Sequence, residues 1–152
     1  MGFPKNVLIC TGIATAGTTL AAALLGWKET SSYAAPLNAT SHIAFGNDAA
    51  THDELSLRYT GVGFFINAAA MASWAALQEF AAGKWARKGA PARALAVGAA
   101  TATIAYVTDY HVVPERLTPG FEKRLSSEAL AAIYGVLAIG LALGIRAGED
   151  RE

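Results

Sequence analysis

From Val7 to Trp27 the chain runs without one charged residue. At about 1.5 Å per residue, a helix of that length reaches across the ~30 Å hydrocarbon layer of a bilayer. Three later blocks repeat the theme, placing spans at about 7–27, 60–80, 93–113 and 127–146. The composition agrees: 53% of residues are hydrophobic and only 16% charged, against roughly 25% charged in soluble domains, which excludes disorder. The expected fold is all-α, a single transmembrane domain over 1–152: an integral membrane four-helix bundle with two ordered outer-face loops.

A cleavable signal peptide competes for the first block, with Lys5 as its basic region and Ser32-Tyr33-Ala34 as a small-x-small cleavage site. Signal h-regions run only about 7–15 residues, which favours a span; cleavage stays open. The second helix is expected to start in Thr51-His52-Asp53-Glu54, which fits a capping box. It ends in a tight turn through Gly83–Pro91, and the third stops at Pro114. Ala129 to Ile145 is short for a span. Thr118-Pro119 is expected to cap an amphipathic interfacial stretch, 121–125, that leads into it.

Lys84, Arg87, Lys88 and Arg93 stand against Glu79 alone in the second connection, so that loop is expected in the cytoplasm, with both termini. Glu79 is expected to reach Lys84 or water. Helices in lipid associate through close backbone approach, and Gly12/Ala16, Ala68/Ala72/Ala76, Gly98/Ala102 and Gly140/Gly144 supply the small-xxx-small spacing. Thr11, Thr15, Thr18 and Thr19 are expected to return their hydroxyls to their own helix. The lone Cys10 reads as a packing residue.

Twelve basic residues cancel twelve acidic ones, which leaves no field to hold nucleic acid. No charge falls in the middle of a span, so an ion-coupled pump has no support, and no channel filter is visible. What chemistry remains lies on the outer face. Asn38, His42, Asp109 and His111 are the candidate polar site, where imidazole and carboxylate groups suit a proton transfer, a lipid head group or a divalent metal. His42, His111 and Asp109 are the metal candidates; no other cofactor is expected. Against this, Asp109 can pair with Arg116 or Arg58, and the histidines can bond loop carbonyls. His52 reads as a solvated helix-start residue. Asn67, alone in an apolar run, reads as interhelical glue, because an unmade hydrogen bond is expensive in hydrocarbon.

The segment Tyr106-Val107-Thr108-Asp109-Tyr110-His111-Val112-Val113-Pro114-Glu115-Arg116-Leu117-Thr118-Pro119-Gly120-Phe121-Glu122, with Asn38-Ala39-Thr40-Ser41-His42 before it, resembles small four-helix inner-membrane proteins of bacteria. The resemblance implies a bacterial inner membrane and brings no activity, cofactor or catalytic residue. The function expected is that of a small multi-pass protein, non-enzymatic, acting on the lipid bilayer, a membrane-protein partner or a second copy of itself as an accessory. The alternative is a membrane enzyme, or a metal or lipid head-group binder, with its site at the periplasmic face.

Overall fold

The structure, a computed structural model, describes residues 2–148. These fold as helices and turns with no strand among them. Helix α1, Phe3–Thr30, carries Pro4 in its first turn, where a missing N–H costs nothing, and ends at Ser31, whose left-handed backbone returns its N–H to the Trp27 carbonyl. A short helix α2, Ala35–Thr40, follows. Helix α3 runs continuously over Leu57–Arg87, with π-helical turns at Leu57–Gly61 and Glu79–Gly83. Helix α4, Pro91–Val107, begins on proline and continues into a π-helical turn, Thr108–Val112, that Pro114 stops. Helix α5, Ser127–Ala147, starts on Ser126, whose hydroxyl accepts the Ala129 N–H.

Helices α1, α3 and α5 are long and apolar enough to cross a membrane. Helix α1 packs on α5 and α3, α4 packs on α5, and α3 touches α4 only sparsely. The seams are built from absent side chains: Gly140 lies against the Ala14 backbone, Gly144 against Cys10, and Gly98 against the Ala138 carbonyl. Small residues line the seams, and many large apolar ones face out, although Ile133, Leu137, Leu141 and Ile145 of α5 are buried. Ala14, Ala75 and Ala105 are fully buried, whereas Leu8 is 71%, Phe65 72% and Phe80 84% exposed.

A layer formed by 31–56 and 113–126 closes one end of the bundle. Its centre is α2, buried along its whole length. Two helical glycines admit it: a Cβ at Gly26 would strike Pro36, and one at Gly63 would strike the Leu37 carbonyl. Gly120, at a φ of 86°, lies over the Ala39 carbonyl and His42, a position doubly closed to other residues.

Several expectations change. Helix α3 starts on Ser56 rather than at 51, because the Thr51 hydroxyl bonds the Asp48 carbonyl and Glu54 bonds His52 instead of closing a capping box. Thr118 caps no helix. Its hydroxyl bonds Glu115 and Glu122, the following turn is only Phe121–Lys123, and Phe121 and Leu125 are buried in the outer layer rather than lying on an interface. Of Thr11, Thr15, Thr18 and Thr19 only Thr18 bonds its own helix; the other three hydroxyls are buried without a partner among the described residues. Glu79 meets Arg87 rather than Lys84. The 79–83 π-turn brings the guanidinium onto both carboxylate oxygens, and Asn6 of α1 adds an N–H at 2.9 Å.

Candidate functional site

The four outer-face residues do not form one site. Asn38 spends its whole amide on the outer layer: Nδ2 donates to the His52 and Glu54 carbonyls, each at 2.9 Å, and Oδ1 accepts the Thr60 hydroxyl at 2.6 Å. It holds α2 to the strap 52–54 and to the start of α3. His42, 2% exposed, sets Nδ1 2.9 Å from the Ala39 carbonyl and Nε2 3.4 Å from that of Glu115. A neutral imidazole has one N–H, and the shorter contact is the better place for it. The ring therefore bonds back to α2 at Ala39, and its Nε2 edge only packs against the 113–117 turn. His111 is exposed and lies edge-on to Tyr106. Asp109 pairs with neither Arg116 nor Arg58; its Oδ2 accepts the Tyr134 hydroxyl of α5 at 2.6 Å.

No three His, Cys, Asp or Glu side chains among the described residues gather as a metal would need. The shared metal at His42, His111 and Asp109 thus loses its geometric basis, because each group is tied to a different neighbour. His52 is more than a solvated helix-start residue. It stacks on Tyr59 at 4.1 Å and bonds Glu54 at 2.7 Å. Hydrogen bonding from the Glu54 backbone N–H, with His52 adding to it, outweighs desolvation and holds that exposed carboxyl below its ordinary value.

What the fold does bring together is Asn67 and Asp109. They share a cavity of about 80 Å³ at the outer end of the bundle, where α3 parts from α4 and α5. Thr18 of α1, Thr40 of α2 and Tyr134 of α5 complete its polar lining, and Ile66, Met71, Phe121, Ile133 and Leu137 are among the residues of its apolar wall. Asn67 donates to Thr18 across the α1–α3 interface at 3.3 Å, the interhelical bond that its isolation in an apolar run calls for. Tyr106, Tyr110 and Tyr134 pack ring on ring beside Asp109, with centroids 5.2–5.9 Å apart. An open pocket of about 240 Å³ lies nearby on the surface, lined by His42, Gly46, Asn47, Glu115 and Arg116.

Thr18 and Tyr134 are the site residues that sequence reasoning passed over. Thr18 was hidden among the threonines of α1, and Tyr134 stands in an ordinary apolar helix. The only signal was that a carboxylate at Asp109 and an amide at Asn67, each beside apolar runs, need a partner on another helix. Comparison with known proteins adds no relative: no protein-family model, curated protein or solved structure matches the chain.

Proposed function

We propose that this chain is a four-span integral protein of a bacterial inner membrane, with both termini in the cytoplasm. It acts without catalysis, through its contacts with lipid or a membrane partner. The observation that carries this reading is the outward placement of many large apolar side chains around helix seams of alanine, glycine and threonine. A water-soluble fold buries Leu and Phe by preference; here Leu8, Leu20, Phe65, Leu77, Ile104 and Leu143 are more than half exposed, which suits hydrocarbon as the surrounding solvent. In this reading α4 with its π-turn, residues 91–112, is the remaining span. Its 22 residues reach about 33 Å.

A non-catalytic role is supported by the bonding of Asn38, whose amide is fully used by the 52–54 strap and Thr60, and by the burial of His42, whose Nδ1 bonds the Ala39 carbonyl. The open pocket beside Glu115 and Arg116 favours a second reading, a head-group binder on the periplasmic side. Reporter fusions test the topology: cytoplasmic signals are expected at Gly89 and Glu152 and periplasmic ones at Asn47 and Thr118, and the opposite signal at Gly89 would invert the arrangement. Native mass spectrometry from mild detergent tests the role. Retained phospholipid or a co-purifying membrane protein is expected, while turnover of an added lipid by the purified chain would refute the non-enzymatic reading.

A further inference from the structure

The hydrogen bonds around the cavity fix what it can bind. The Thr18 hydroxyl spends its proton on the Ala14 carbonyl at 2.9 Å, so toward Asn67 it can only accept. The amide must therefore present Nδ2 to Thr18, and Oδ1 is left without a donor among the described residues. Asn67 is 5% exposed, so that oxygen belongs to a side chain buried at the wall of the cavity. Asp109, half-buried, likewise has one carboxylate oxygen, Oδ1, without a donor among the described residues. Tyr134 occupies Oδ2, and no lysine or arginine pairs with the carboxylate among the described residues. No basic side chain lines the cavity.

The cavity thus offers acceptor oxygens and one carboxylate in apolar surroundings, with the second N–H of Asn67 as its spare donor, and no positive charge lines it. We propose that it is a binding site for a small protonated alkylamine, whose ammonium sits between Asp109 and Asn67 with its alkyl body against Met71, Ile133 and Leu137. An ammonium supplies three N–H donors and the missing charge, and bonds to ionised partners are about twice as strong as neutral ones. An alcohol supplies one donor and no charge. A carboxylate would be repelled. The volume fits an amine of a few carbons: about 80 Å³ compares with the ~10–15 Å³ that admits one water on the same measure. Ala70, exposed at the rim, marks a way in from the surface. The proposal goes beyond the membrane reading and does not depend on which way the chain is oriented.

The test is calorimetric titration of the full-length chain in a non-ionic detergent with n-butylammonium chloride, with n-butanol and sodium butyrate as comparators. Saturable one-to-one binding of the amine is expected, with butanol about tenfold weaker or worse, since the charge-assisted bond is lost, and no binding of butyrate. Asp109→Asn keeps an acceptor for Tyr134 and removes the charge, so amine affinity should fall by about tenfold or more. Ala70→Leu fills the rim with the carboxylate intact and should weaken amine binding while the variant stays folded; it also serves if Asp109→Asn does not fold. Absence of saturable amine binding, equal binding of butanol, or unchanged affinity in either folded variant overturns the proposal.

Discussion

Replacing Gly144 by alanine adds one methyl group at the tightest point of the α1–α5 seam. A Cβ there would lie 2.6 Å from the Cys10 Cα and 2.6 Å from its Sγ. Carbon atoms in contact sit at about 3.5–4.0 Å, so the two helices must part by roughly 1 Å. The obstacle is backbone, which has no rotamer to yield with. Overpacking of this kind costs about 1–3 kcal/mol, after which the better helix propensity of alanine returns somewhat under about 1 kcal/mol. Two other glycines on the same helix calibrate the effect. At Gly140 the Cβ would meet the Ala14 Cα at 3.2 Å, and at Gly135 nothing lies within 4 Å. For a chain of this size about 1 kcal/mol moves the melting temperature by roughly 2–4 °C. Gly144→Ala should then melt up to roughly 8 °C below the parent and roughly 2–12 °C below Gly135→Ala, with Gly140→Ala close to the parent and Gly135→Ala at or slightly above it. Thermal unfolding in detergent, followed by tryptophan fluorescence, ranks the three. If Gly144→Ala melts with Gly135→Ala, the seam is not the close contact argued here, and the role of small residues in this bundle has to be given up.

Removing Arg87 strands Glu79, whose side chain is only 4% exposed; Arg87→Ala should cost about 3–5 kcal/mol in the same assay, and a loss below about 1 kcal/mol, the range of surface pairs, would contradict it. Asn38→Ala leaves the His52 and Glu54 carbonyls and the Thr60 hydroxyl without their partner. A loss of about 2–3 kcal/mol is expected, with faster proteolysis within 46–56, and unchanged cleavage would show that the strap is held by something else. His42→Ala should destabilise by about 1–3 kcal/mol and His111→Ala by less than about 0.5 kcal/mol, since the first ring is buried and bonded and the second is exposed. Equal effects, or a fall in melting temperature on adding a chelator, would revive a metal shared by the two.

The apolar blocks were legible in the sequence because hydrocarbon thickness sets a length that few other constraints demand. Val7–Trp27 falls inside α1, and the expected last span, 127–146, nearly coincides with α5. The breakers were legible for a similar reason: Pro91 and Pro114 bound α4 and its π-turn because a proline cannot donate to the helix that precedes it. Asn67 also announced an interhelical bond, since an amide among apolar residues has few other ways to be satisfied. None of these readings required knowing which helices are neighbours.

Everything that did require it came from the tertiary structure. Thr51 and Glu54 carry the letters of a capping box, but Asp48 and His52 lie closer once the loop is folded. Asp109 had charged partners available in sequence and takes a tyrosine of α5 instead, because the π-turn swings its carboxylate toward that helix. Asn38, which read as chemistry, is consumed in holding α2 to the 52–54 strap and the start of α3, and His42 bonds back to α2 at Ala39. Asn67 and Asp109, 42 positions apart, line one cavity. A sequence records local backbone preference and the polarity of each side chain. It does not record the rotation of one helix about its axis against another, and in this protein that rotation decides which polar groups find each other and which are left facing a cavity.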